Sequence, residues 1–197
     1  MVPIKVFISA DIEGIAGITH WDEADRQHPD YAEFRALMTA EAVAACESAT
    51  AAGATEILIK DAHSSGRNLI LSDLPENVRI VRGWSGHPFT MYQELDDSFD
   101  AVVLTGYHAK GGADGNPLGH TMSGRTIHCV SINGAVASEF TFGAIVAAVQ
   151  KVPICFVSGD AGICADVREA NGNIARSQPA RGAAHRQLRL LPPVRCD

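Results

Sequence analysis

The chain has 197 residues, a length that suits one domain with a core able to stabilise itself. Hydrophobic residues make up 46% and charged residues 20%, which excludes disordered and collagen-like classes. A net charge of −7, with no run of Lys or Arg before the C-terminal stretch, excludes nucleic acid as an expected partner, and charges break every apolar stretch short of a membrane span.

The first apolar, β-branched run, Ile4 to Ser9, predicts a strand buried on both faces. Helical spacing of Ala, Leu, Met and Val predicts a helix over Tyr31 to Ala52, stopped before Gly53. Strands are predicted at Glu56 to Lys60, Val78 to Val81 and Ala101 to Leu104. His128 to Ile132, closed by Asn133-Gly134, reads as one arm of a hairpin or an added edge strand. Ser138 opens a helix to Gln150, and Pro153 to Ser158 supplies a last strand. This alternation predicts an α/β fold: a mostly parallel sheet flanked by helices, a three-layer, doubly wound domain.

Residues 171–197 differ from the rest. They hold Arg176, Arg181, Arg186, Arg189 and Arg195 with Asp197 as the one acid, so they carry +4 and the preceding residues −11. A domain over 1–170 and a basic, irregular tail over 171–197, of the kind a truncation or a shifted reading frame leaves, are therefore expected. Five scattered cysteines (Cys46, Cys129, Cys155, Cys164, Cys196) form neither a CxxC nor a disulfide framework, and the N-terminus has no secretory pattern, so a cytoplasmic location is expected.

In a parallel sheet, ligands bind beyond the carboxyl ends of the strands. The first strand runs into Ser9-Ala10-Asp11-Ile12-Glu13-Gly14, where Asp11 and Glu13, two apart, point the same way. Two convergent carboxylates repel unless a cation lies between them, although a plain pair of capping acids explains them too. The second strand ends in Asp61-Ala62-His63-Ser64 and the fourth in Gly106-Tyr107-His108-Ala109. Two histidines at equivalent strand ends beside paired acids form an N/O donor set suited to zinc, manganese or cobalt. Asp61 reads either as the acceptor that orients His63 or as a turn cap. His120, in the Gly-rich Gly119-His120-Thr121-Met122, is a catalytic candidate, and Glu139 either faces the site or serves the helix dipole. His20, His28, His87, His128 and His185 lack a matching partner and read as structural or surface residues.

In order and spacing, Ser9-Ala10-Asp11-Ile12-Glu13-Gly14, Asp61-Ala62-His63-Ser64, Gly106-Tyr107-His108-Ala109, Gly119-His120-Thr121-Met122 and Ala137-Ser138-Glu139 resemble the bacterial zinc D-aminopeptidases associated with dipeptide transport. The resemblance covers roughly residues 1 to 165 and implies two zinc ions per subunit, with Asp11, Glu13, His63, His108 and Glu139 as metal ligands and His120 as the catalytic residue. It further implies a short peptide substrate losing N-terminal residues such as D-Ala, and a ring-like homo-oligomer, a decamer among the sizes implied. Asp11, between the two His-bearing strands, is the expected bridge, and His120 would steady the oxyanion or move its proton. Relative to the family the chain reads as truncated at the C-terminus, with no counterpart from Asn171 onward.

Two other readings compete. An apolar strand ending in acids two apart also suits a haloacid-dehalogenase-like phosphohydrolase with Asp11 as nucleophile and magnesium bound. Gly159-Asp160 followed by Asp166 imitates its late acidic motif at a spacing one residue too long. The basic tail also suits an inactive, truncated metal-binding scaffold.

Overall fold

Along β1 (Ile4–Ala10) successive side chains enter two different apolar layers, Val6 and Ile8 on one side and Phe7 on the other. That alternation is why the strand reads as one apolar run and why helices cover both faces of the sheet. The computed structural model describes residues 3–113 and 116–178.

After β1 come the short helix α1 (Trp21–Ala24), the long helix α2 (Tyr31–Ala51), β2 (Ala54–Asp61), β3 (Val78–Val81) and β4 (Ala101–Tyr107). The antiparallel pair β5 (Ser131–Ile132) and β6 (Ala135–Val136) precedes α3 (Glu139–Gln150), β7 (Ile154–Gly159), α4 (Ala161–Ala170) and β8 (Ala175–Ser177). Six strands form one sheet in the order β3-β2-β1-β4-β7-β8, every neighbouring pair parallel. This is a doubly wound sheet whose connections reverse direction between β1 and β4.

On one face Met38, Ala42 and Cys46 of α2 pack on Val6, Ile8, Ile57 and Ile59. On the other, Phe140 and Ala147 of α3 and Ile163, Cys164 and Val167 of α4 pack on Phe7, Val102 and Leu104. Among the described residues no helix is long and apolar enough to cross a membrane.

Every predicted strand and helix is present; β1, β2, β4 and β7 run a residue or more further at their C-terminal ends, whereas of His128 to Ile132 only Ser131–Ile132 is strand. The Asn133-Gly134 segment is a hairpin turn, both residues at positive φ (53° and 84°), and its two strands stand apart from the main sheet. Three elements were not foreseen. The turn α1 is too short to show a period, and α4 begins at Asp160, whose side chain accepts from Ile163 N–H at 2.7 Å as an N-cap. The third, β8, is a correction to the expected irregular tail: Ala175–Ser177 is nearly devoid of apolar signal yet pairs with β7 through Phe156↔Ala175 and Ser158↔Ser177. Residues 179–197, the remainder of that expected tail, lie outside the described residues.

Candidate metal centre

The site forms where β1 and β4, neighbours in the sheet, send their connections in opposite directions. They stay paired through Ala10↔Thr105, then the loops continue the contact: Asp11 N–H donates to Thr105 O at 2.8 Å and Gly14 N–H to Gly106 O at 2.9 Å. A Cβ on Gly14 would collide with the Tyr107 carbonyl, and one on Gly106, which sits at φ 68°, with the Asp11 carbonyl. Backbone therefore meets backbone here, and the acids that follow β1 face the histidine that follows β4.

Six side chains from five segments close into a ring in which carboxylates and imidazoles alternate. Asp11 Oδ1 lies 3.4 Å from His63 Nδ1, which lies 3.1 Å from Glu13 Oε2. Glu13 Oε1 is 4.0 Å from His120 Nε2, itself 3.5 Å from Glu139 Oε1. Glu139 Oε2 is 3.4 Å from His108 Nε2, and His108 Nε2 is 3.7 Å from Asp11 Oδ2, which closes the circuit. Potential ligand atoms cluster as Asp11, Glu13 and His63 on one side and His108, His120 and Glu139 on the other, within 4.8 Å of one another in each group. Asp11 presents one oxygen to each side.

The second nitrogen of each imidazole is committed to a backbone carbonyl: His63 Nε2 to Ala24 O at 2.9 Å, His108 Nδ1 to Ala109 O at 3.0 Å, His120 Nδ1 to Leu118 O at 2.9 Å. A carbonyl only accepts, so those nitrogens carry the protons, and in the neutral rings the lone pairs face the carboxylates. Lone pair against carboxylate is repulsive without a positive charge between them. His108 Nε2 is buried without a hydrogen-bond partner. The donor set, the repulsion and this orphaned nitrogen fit divalent cations of the zinc class.

Electrostatics within the cluster point the same way. Burial alone would lower the His63 imidazole, but Glu13 and Asp11 hold it well above its ordinary value. Burial likewise opposes a proton on His108, yet Glu139, Glu13 and Asp11 push it up to about 10. Asp11 is raised well above the usual carboxylate range by burial and by Glu13. Burial would also raise Glu13 and Glu139, but the histidines hold both below that range. Without metal the cluster thus retains protons, which a cation would displace.

All six residues singled out from the sequence converge. His120 is the most open, its side chain 11% exposed, whereas that of His108 is fully enclosed. Asp61 does not orient His63: its carboxylate accepts from Asn68 N, Asn68 Nδ2 and Leu69 N, closing the turn after β2, and the Ala24 carbonyl orients the ring instead. His20 caps α1, His28 lies against Asp22 and Asp30, His87 accepts from Phe89 N–H, and His128 is exposed; His185 lies outside the described residues. Asp160 caps α4 and accepts from Ala109 N at 2.7 Å and Asn116 Nδ2 at 2.5 Å, while Asp166 pairs with Lys110 Nζ at 2.9 Å.

Sequence reading missed the supports. Met122, at φ 68°, donates its N–H to Glu139 Oε1 at 2.8 Å, and Tyr92 donates its hydroxyl to the Glu139 carbonyl at 2.9 Å. A backbone donor carries no signal in the sequence, and Tyr92 lies in a short turn without a period.

The sequence matches the D-aminopeptidase family, peptidase family M55, over residues 4–196, past the compositional boundary at Asn171. The D-aminopeptidase of Bacillus subtilis (strain 168) is 29% identical over 192 residues, 98% of this chain and 69% of that protein. A solved structure described as the Zn-dependent D-aminopeptidase DppA from Bacillus subtilis, a self-compartmentalizing protease, superposes with a TM-score of 0.84 at 30% identity, over 89% of this chain. The chain spans 63% of the length of that solved chain. With the family matched along nearly its whole length and the fold shared, the chain belongs to the M55 D-aminopeptidase family.

Proposed function

We propose that the protein is a metal-dependent aminopeptidase that releases N-terminal residues, D-amino acids such as D-Ala, from short peptides of the kind a dipeptide uptake system would deliver to the cytoplasm. The observation that carries this reading is the closed ring of three carboxylates and three imidazoles at the switch point of the sheet. Two zinc ions fit it. Asp11, Glu13 and His63 would hold one, and His108 and Glu139 the other, with Asp11 shared because its two oxygens face opposite sides. Bound there, the ions would polarise a scissile carbonyl and make a water more acidic.

The protein's own groups do the rest. Ala24 and Ala109 fix the tautomers of His63 and His108, so that each presents a lone pair inward. His120, the most open member of the ring, has its Nε2 free to meet the substrate, where it steadies a developing oxyanion or passes a proton to the leaving nitrogen. Glu13 and Glu139 flank that nitrogen at 4.0 and 3.5 Å and orient it.

Assembly belongs to the same reading: the protein forms a homo-oligomer, with a ring-like decamer as the proposed size. Support comes from α3, which has no polar face; Ile145 is 43% and Val149 64% exposed on its outer side. The phosphohydrolase reading has no support, because Asp160 and Asp166 are engaged in the helix cap and the Lys110 pair.

The test is metal analysis and hydrolysis on the full chain. About two zinc ions per chain, with cleavage of D-Ala-D-Ala faster than of L-Ala-L-Ala, are expected. A protein that takes up no zinc would reject the reading, and one that binds two ions yet cleaves no peptide would favour the scaffold.

A further inference from the structure

Helix α1 is four residues long, far below the length at which a helix is stable alone, so its place must be fixed by other contacts. Glu23 Oε2 accepts from Thr19 N at 2.6 Å and His20 N at 2.9 Å, while His20 Nδ1 accepts from Asp22 N at 3.2 Å. The turn so held reaches both halves of the candidate metal centre. Its last residue supplies the Ala24 carbonyl to His63 Nε2, and its first, Trp21, sets its indole against the His120 ring, centroids 5.3 Å apart at 63°. His108 stacks on His120 as well, at 4.2 Å and 8°. Gly124 leaves room for the indole: a Cβ there would come within 2.9 Å of Trp21 Cζ2 and Cη2.

Beside Glu13 and Glu139 at Nε2, the His120 ring meets the Leu118 carbonyl at Nδ1 and the rings of His108 and Trp21. The His108 side chain is fully enclosed and Trp21 is 41% exposed, so of the two rings set against His120 it is Trp21 that stands on the solvent side. We propose that Trp21 is a positioning residue for the reaction: it closes the outward path of His120 and keeps Nε2 between Glu13 and Glu139. Through α1 the same turn fixes His63, so one short element sets the relative placement of an imidazole from each half. This rests on the reading of His120 as the catalytic residue.

The test uses the full chain with Trp21→Ala, Trp21→Phe and Gly124→Ala, the last pushing the indole aside without removing it. In metal-stripped protein, modification of His120 by diethyl pyrocarbonate, followed by peptide mass spectrometry with exposed His128 as reference, should be about tenfold faster in Trp21→Ala and faster in Gly124→Ala, but near wild type in Trp21→Phe. In zinc-loaded protein, D-Ala-D-Ala hydrolysis should lose about tenfold or more in kcat with KM nearly unchanged, and Trp21→Phe should restore it. Equal labelling of wild type and Trp21→Ala overturns the proposal, as does a change confined to KM, which would make Trp21 a substrate contact. If the wild type cleaves no peptide, the aminopeptidase reading fails, while the labelling still decides the role of Trp21. Should Trp21→Ala not fold, the labelling of Gly124→Ala decides alone.

Discussion

The two halves of the candidate metal centre are built differently. Asp11, Glu13 and His63 follow β1 and β2, adjacent strands in parallel register from Lys5↔Glu56 to Ala10↔Asp61, so the ladder itself sets their spacing. In the other half only His108 follows a strand; His120 sits on the long connection between β4 and β5, and Glu139 opens α3. That half is assembled by side contacts: Tyr92 to the Glu139 carbonyl, Met122 N–H to its carboxylate, Asp160 to the loop at Ala109 and Asn116. One half is inherited from the sheet, and the other depends on packing.

The largest expected effect comes from the residue the halves share. Asp11→Asn should abolish peptide hydrolysis and weaken zinc at both positions by about a hundredfold or more, measured by chelator competition. Retention of both ions at wild-type affinity would remove Asp11 from the bridging position. Next, Glu139→Ala should leave about one zinc per chain, held by the strand-built half, in mass-spectrometric metal counts. Loss of both ions would show that the halves are not separable.

A third prediction concerns pH. In metal-free protein the raised values of His63 and His108 mean that the folded state keeps protons the unfolded chain loses near pH 6.5. That stabilisation is complete below the unfolded value and disappears as pH rises through the folded one, about 10 for His108. Thermal stability of the stripped protein should therefore fall between pH 7 and 10, by up to about 1.4 kcal/mol per pH unit for each retained proton. Zinc-loaded protein should show a flatter profile, since cations replace those protons; parallel profiles would contradict the displacement. The smallest effect is Tyr92→Phe, which should cost about 1 kcal/mol in denaturant unfolding and weaken the α3 side of the centre more than the strand-built side.

The same contrast explains what was legible in the sequence. Asp11 and Glu13 alternate beyond an apolar strand, and His63 and His108 end two others, so the sheet's own period brings three segments to one edge. His120 is marked only by its Gly-rich loop and Glu139 only by its place in a first helical turn, and their roles come from the family resemblance, because nothing local says how the connection between β4 and α3 folds back. Helix α4 was overlooked since its cap, Asp160, looked like a functional acid, and β8 because a polar edge strand resembles a loop. The Ala24, Ala109 and Leu118 carbonyls that orient the imidazoles are main-chain atoms, and residue identity does not encode them.

The contact between Gly14 and Gly106 bears on any attempt to redesign this protein. Since neither position accommodates even a methyl group, diversification there would pry the central strands apart before it altered selectivity. Variant libraries aimed at new peptides belong on residues 125–129 of the connection between β4 and β5, which are exposed, with the glycine pair kept as an unvaried pivot.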